Sequence, residues 1–389
     1  MKQIAVVTGT RAEYGLLKPL IKAIDSDKDL ELQLLVTGMH LSDAYGSTYK
    51  EIEADGFVIT ERIDCELGED TSEAISKSIG KGIDGFSKVY HTLDPDIIIV
   101  LGDRTEILAA AVAAMVKGIP LAHIHGGETT EGAYDESIRH AITKMSYLHF
   151  TSTETYRKRV IQLGEHPSRV FNVGAIGIDS IKTLPLLDKS EFEKSISFPL
   201  NKKNVLITFH PVTLETDTAE NQFKALLKAI DKLEDATLIF TKPNSDKGGK
   251  VIVEMIDDYV EKNNEKAVAF VSLGQLRYLS ALQYVDVVVG NSSSGILEVP
   301  IFNKPTINIG DRQKGRLMPN SVICCGTKYH DIDKALTIAL GNEFKDMIKT
   351  QKNLYGDGMT TQKILTILKQ SNIGNLKKSF YDLTFEHNG

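Results

Sequence analysis

The chain has 389 residues, more than one ordinary hydrophobic core accommodates, and so points to two domains. Its apolar fraction of 42% and charged fraction of 25% fit a globular protein in water, and a formal net charge of −7 excludes a general binder of nucleic acid or anionic membrane. The N-terminal apolar run is too short for a signal-peptide core and no stretch reaches the length of a membrane span, so a cytoplasmic protein is expected.

Strand-like and helix-like runs alternate from the first residues, the pattern of an α/β fold with parallel sheets. Residues 3–8 read as a strand. Residues 12–25 read as a helix with Leu16, Leu17, Leu20, Ile21 and Ile24 on one face. A strand over 32–37, a helix near 44–54, a strand within 57–63 and a helix over 71–92 lead to the apolar run 97–101, which stops at Gly102-Asp103-Arg104. One helix later a second apolar run ends in His123-Ile124-His125-Gly126-Gly127-Glu128, as a parallel neighbour strand would. A helix near 135–146, a strand over 148–152, a helix over 153–163 and a strand over 170–173 follow. Residues 184–204, with two prolines and many charges, read as a connection between domains.

The alternation then restarts, with strands over 205–209, 237–241, 267–271, 285–289 and 305–309. Helices fall over 219–233, 250–262 and 275–284, just after Gly295, and near 332–340. The expected organisation is two Rossmann-like doubly wound domains facing across a cleft, one over 1–183 and one over 204–359. A helix near 360–370 is expected to pack back on the first domain, and the tail from Ser371 has no periodicity. Cys324 and Cys325 are adjacent and Cys65 is distant, which is neither a disulfide framework nor a zinc pattern.

Ligands of open parallel sheets bind at the carboxyl ends of the strands, so Asp103, Arg104, His125 and Glu128 should share one crevice, with Asp135 and Glu136 on the next loop. Neighbouring carboxylates push their pKa values apart, which suits paired acid and base work. His123 and His125 at i, i+2 would share a strand face and, with Glu128 or Asp103, could hold a metal. One strand rarely supplies a whole ligand set, and neither metal nor cofactor is expected.

Gly9-Thr10-Arg11-Ala12 opens the first helix where backbone N–H groups favour phosphate, but it is neither a dinucleotide fingerprint nor a P-loop. Gly290-Asn291-Ser292-Ser293-Ser294-Gly295 is the better phosphate site. Glu298 behind it could take the two hydroxyls of a ribose, and Arg312 could add a cation. Asn244 and His210 sit at other strand ends of the same domain.

Together these residues resemble the hydrolysing UDP-N-acetylglucosamine 2-epimerases of the type that releases N-acetylmannosamine for sialic acid synthesis. The resemblance covers most of the chain. It rests on Gly9-Thr10-Arg11-Ala12-Glu13-Tyr14-Gly15, Gly102-Asp103-Arg104, the His123 to Glu128 run, Tyr134-Asp135-Glu136-Ser137-Ile138-Arg139-His140, Phe209-His210-Pro211, the Gly290 to Gly295 run and Gly310-Asp311-Arg312-Gln313. It implies the GT-B arrangement with UDP held mainly by the second domain, a UDP-sugar as the partner, and a homodimer or homotetramer, while the charge and run lengths above argue against nucleic acid or membrane as partners. Carried over by position, Arg11, Asn244, Ser292, Ser293, Glu298 and Arg312 would contact the nucleotide. Asp103, Asp135, Glu136 and His210 would serve the chemistry. One departure matters: many relatives have a catalytic glutamate just before the Gly-Gly pair, where this chain has His125, so that role falls to Glu128 or to His125.

The implied reaction removes the C2 proton as UDP leaves C1, forming 2-acetamidoglucal. Water then adds at C1 while an acid returns a proton to C2 from the other face. The same resemblance allows a UDP-2,4-diacetamido-2,4,6-trideoxyglucose substrate, as for legionaminic acid. A GT-B glycosyltransferase and a non-catalytic nucleotide-sugar sensor are readings of other classes.

Overall fold

The computed structural model describes residues 1–67, 71–129, 134–211, 219–243, 249–350, 353–371, 373–374 and 376–384. The chain divides into two compact units, one of residues 1–182 with 355–389 and one of residues 183–354.

The first unit holds a seven-stranded sheet of β1 (Lys2–Thr8), β2 (Leu30–Thr37), β3 (Glu61–Ile63), β4 (Ile97–Leu101), β5 (Leu121–Ile124), β6 (Leu148–Thr151) and β7 (Val170–Asn172). Its order is β3-β2-β1-β4-β5-β6-β7, with every neighbouring pair parallel. The second unit holds β8 (Lys203–Thr208), β9 (Ala236–Thr241), β10 (Ala267–Phe270), β11 (Val287–Gly290), β12 (Thr306–Ile309) and β13 (Val322–Cys325) in the order β10-β9-β8-β11-β12-β13, again all parallel. Both are doubly wound α/β sheets, as the alternation predicts. Strand order reverses between β1 and β4 and between β8 and β11, the switch points where loops diverge and leave room for a ligand.

The central strands are buried on both faces, which is why they read as unbroken apolar runs. Period-two alternation still sorts their side chains. Ile4 and Val6 join Ile97 and Ile99 in a core with Leu17, Leu20, Ile21 and Ile24 of the helix Arg11–Asp25 and Ile364 and Leu368 of the helix Thr360–Gln370. Ala5, Val7, Ile98 and Val100 face the opposite side, against Phe86 and Tyr90 of the helix Ser72–Leu93 and the alanines of the helix Thr105–Lys117. These two helices pack closely because Gly82 presents no Cβ, where one would stand 2.8 Å from that of Ala109. In the second unit such a core lies under the helices Ala219–Asp231, Gly249–Lys262 and Tyr329–Leu340.

Several elements differ from expectation. The helix expected near 44–54 is broken into one short 3-10 turn, Asp43–Tyr45, and the helix Tyr49–Ala54, because Gly46 and Ser47 both take positive φ, 85° and 47°. The strand expected within 57–63 is reduced to β3. The stretch 184–204 contains a helix, Lys189–Ile196, closed by a capping box between Asp188 and Glu191 and seated by the buried Phe192, whose ring stacks on Tyr284. β13 and the helix Asn342–Lys349 were not anticipated. Among the described residues no helix is long and apolar enough to cross a membrane.

Candidate active site

In the first unit the loops after β4 and β5 and the start of the helix Asp135–Met145 bring the expected carboxylates together. Asp103 follows the β4 turn, where Gly102 takes a φ of 77°. Burial pushes the Asp103 carboxyl up, the Arg139 guanidinium opposes this, and Asp135 and Glu128 push it up further. Asp103, Glu128 and Asp135 are therefore within electrostatic reach of one another. Arg139 was not singled out from the sequence as a site residue, yet it ties the cluster together: one nitrogen donates to Asp103 Oδ2 and the other to the His125 carbonyl at 3.0 Å. It lies four residues after Asp135 on one helix, a spacing that places both on one face.

His125 lies one residue beyond β5 with a φ of 65°, so the strand-face pairing expected with His123 does not form. His123 is fully buried, with Nε2 2.8 Å from the Gly102 carbonyl and Nδ1 3.2 Å from Thr143 Oγ1, and burial lowers its pKa to about 3. Its role is to hold the Gly102-Asp103 turn from below. Among the described residues no group of three histidines, cysteines or carboxylates is placed to hold a metal. Gly127 is pressed against the Tyr156 carbonyl, which a Cβ would meet at 2.5 Å, and its own carbonyl accepts from Arg159. Glu136 lies 3.1 Å from His140 Nε2 on its own helix.

The β1 turn is organised from beneath by Thr10, Glu13, Glu106 and His40, none of which was expected as a site residue. Thr10 caps the first helix by accepting the Glu13 N–H, and Glu13 Oε2 accepts the Gly9 N–H at 2.7 Å. Burial raises the Glu13 carboxyl to about 8, with a further upward push from Glu106. Glu106, itself buried, accepts from Arg104 Nε at 2.7 Å and fills the space above Gly9 that a side chain would need. His40 is buried between Thr8 and Thr48 and lowered to about 4 by burial. Arg11 stands at the helix start with its side chain 72% exposed, 3.0 Å from Glu51, and Ala12 beside it is exposed.

In the second unit, loops after β8, β11 and β12 meet on Asn291. Its amide accepts the His210 N–H at 2.7 Å and donates to the His210 carbonyl at 2.8 Å, which fixes the backbone at His210. The Asn291 carbonyl in turn accepts from Arg312 at 3.1 Å and Gln313 at 2.9 Å. Gly290 is obligatory: with a φ of 145°, a Cβ there would lie 1.8 Å from the Thr208 carbonyl. Ser292 and Ser293 precede a single helical turn, and Ser294 donates to Glu298 while Tyr278 bonds to Ser294. Burial raises the Glu298 carboxyl, and the Ser294 hydroxyl opposes it. Asn244 lies outside the described residues.

A sequence model described as UDP-N-acetylglucosamine 2-epimerase matches residues 22–369. The GDP/UDP-N,N'-diacetylbacillosamine 2-epimerase (hydrolyzing) of Campylobacter jejuni is 45% identical over 384 residues, covering 98% of this chain and 99% of its own. The UDP-N,N'-diacetylbacillosamine 2-epimerase (hydrolyzing) of Legionella pneumophila is 38% identical, covering 95% of this chain and 96% of its own. The crystal structure of the UDP-GlcNAc 2-epimerase of Neisseria meningitidis bound to UDP-GlcNAc superposes with a TM-score of 0.79 at 20% identity, covering 95% of this chain and 100% of that one, which shows a shared fold.

Proposed function

Because the chain belongs to the UDP-N-acetylglucosamine 2-epimerase family, we propose that it is a hydrolysing UDP-sugar 2-epimerase whose substrate is UDP-N,N'-diacetylbacillosamine, the 2,4-diacetamido-2,4,6-trideoxyglucose nucleotide. Two relatives named for that substrate support the choice of sugar. The carboxylate cluster of Asp103, Glu128 and Asp135, with Asp103 pushed up by burial and by its two neighbours, is the observation that carries the chemistry.

In the first half-reaction a carboxylate of the first unit, Asp103 or an acid of the Asp135-Glu136 pair, takes the C2 proton, and the C1–O bond breaks with its electrons leaving on UDP. The product is the glycal, with a C1–C2 double bond. In the second half-reaction water adds its oxygen to C1, its surplus proton passing to solvent, and a second acid returns a proton to C2 on the opposite face. The sum is UDP-sugar and water giving the free 2-epimer and UDP. Two groups that exchange protons with one carbon need separate surroundings, and burial pushes the Asp103 carboxyl up.

The second unit's roles in this reading are nucleotide binding and leaving-group stabilisation. N–H groups and hydroxyls at Ser292 and Ser293, the Arg312 guanidinium and His210 would meet the diphosphate charge. Glu298 would accept from the ribose hydroxyls, and Arg11 and Arg104 would serve as cations of the first unit.

UDP-N-acetylglucosamine is the second reading, favoured by the family's description. The test is to incubate the protein with each UDP-sugar alone and follow UDP and free sugar by NMR. The proposal expects free 2,4-diacetamido-2,4,6-trideoxymannose, with kcat/KM exceeding that for UDP-N-acetylglucosamine by about 10-fold or more, since a site built around a second acetamido group discriminates against its absence. Faster turnover of UDP-N-acetylglucosamine would favour the second reading, and turnover of neither would overturn the activity.

A further inference from the structure

His125 occupies the position before the Gly126-Gly127 pair, and Glu128 follows three residues later. Both face the carboxylate cluster, and a reaction with two proton transfers at C2 needs a second group besides the first base. The surroundings of the two side chains are not alike. His125 is 15% exposed and both of its ring nitrogens are engaged. Its Nε2 accepts the Ile176 N–H at 3.3 Å, so that nitrogen carries a lone pair. The one proton of the neutral ring is then on Nδ1, which lies 3.5 Å from Glu128 Oε1. Its backbone is fixed as well, by the positive φ and by Arg139 donating to its carbonyl.

Glu128 is arranged differently. Its Oε1 accepts the Ser152 hydroxyl at 2.6 Å and faces His125 Nδ1. Both contacts fall on the same oxygen, the side chain is 26% exposed, and among the described residues no bond engages Oε2. Glu128 is also near enough to Asp103 to act on its charge. Two carboxylates on adjacent strand-end loops, one held by Arg139 and one by Ser152 and His125, form a pair of separately supported acid/base groups.

We propose that Glu128 is the second proton-transferring residue of the reaction and that His125 is its positioning residue, a neutral imidazole that turns Nδ1–H toward Glu128 Oε1 at 3.5 Å and is itself held by the Ile176 N–H. This rests on the proposed epimerase activity. A histidine wired in this way does not exchange protons with substrate, because protonating Nε2 would set two N–H groups against each other at Ile176. Burial acts in the same direction, lowering the His125 pKa against the pull of Glu128.

The test compares Glu128→Gln, His125→Ala and His125→Asn in the full chain. Asparagine suits a position with φ near 65° and supplies an N–H close to the place of Nδ1. Glu128→Gln is expected to lower kcat by about 100-fold or more, with KM little changed. His125→Ala is expected to lower kcat by about 10-fold, and His125→Asn is expected to recover most of that loss. Near-full activity in Glu128→Gln, or losses in both His125 variants as deep as in Glu128→Gln, would overturn the assignment.

A second measurement does not depend on turnover. Nitrogen NMR of the His125 ring in the wild-type protein is expected to show the neutral Nδ1–H tautomer at neutral pH. An Nε2–H or doubly protonated ring would contradict the wiring even if the protein turned over neither UDP-sugar, so failure of the activity and failure of this assignment are read separately.

Discussion

Arg139 and Asp103 illustrate how position sets chemistry at the scale of one residue. Asp103 is pushed up by burial and by Asp135 and Glu128, and Arg139 is the largest influence pulling it down. Replacing Arg139 by methionine leaves only the upward influences and the weaker pull of Arg104. The carboxyl then ionises at higher pH than in the wild type, so the acid limb of the kcat/KM profile moves to higher pH, with kcat near neutrality reduced by about 10-fold or more. An unmoved acid limb in a folded variant would remove Asp103 from the step that limits the rate. Asp103 was legible in the sequence because an apolar strand stops at Gly-Asp, whereas Arg139 was not. On a helix with alternating charges its pattern is that of a solvated face, and only the fold reveals that its side chain is 9% exposed. Asn291 was hidden for a similar reason: it stands among serines that resemble a helix cap, and its bonds go to His210, 81 residues away in the loop after β8.

Strand ends carry the candidate residues in each unit, and the glycine at Gly290 is fixed by contact as well as by conformation. Gly290 has a backbone conformation open only to glycine and sits directly against the Thr208 carbonyl. Gly290→Ala therefore separates β8 from β11 at the switch point, and is expected to cost about 3 kcal/mol and to abolish UDP binding, as read by thermal unfolding and calorimetry. Wild-type melting and UDP affinity would show that this loop does not hold the nucleotide. Strands such as β4 were readable because burial on both faces leaves an uninterrupted apolar run. The helix Lys189–Ile196 was read as a connection although its capping-box residues, Asp188 and Glu191, were in view. The flanking prolines and charges concealed a helix whose one strong anchor is Phe192. β13, at the sheet edge and only partly buried, lacks the apolar run that marks the inner strands.

At the scale of the whole molecule, the chain ends by returning to the unit in which it began. The helix Thr360–Gln370 starts on Asp179, which accepts the N–H groups of Thr360 and Thr361, and lays its apolar face against the helix Arg11–Asp25. Its amphipathic spacing made that return readable. The tail beyond it has no periodicity to read, yet Lys378 donates to Glu165 and to the Lys144 and Ser146 carbonyls. Glu165 is 1% exposed. Burial would raise its pKa, but hydrogen bonds from His149 and Lys144 and the charge of Lys378 outweigh it and bring the carboxyl down to about 2. A carboxyl lowered by folding contributes stability above its unfolded value near 4.5, and that contribution is lost as pH falls toward 2. Glu165→Gln leaves these cations without their partner, and is expected to cost about 3 kcal/mol at pH 7, or roughly 10 °C in Tm. Its stability should also fall less than that of the wild type between pH 5 and pH 3. Equal acid slopes in the two proteins would contradict the role given to Glu165.

The central claim is that this chain's carboxylates exchange a proton at C2 of a UDP-sugar, and turnover in D2O tests it most directly. The account predicts that the free 2-epimer of UDP-N,N'-diacetylbacillosamine carries one deuterium at C2, because the proton removed in the elimination is not the one returned in the hydration. Product that retains its original hydrogen at C2 would contradict it.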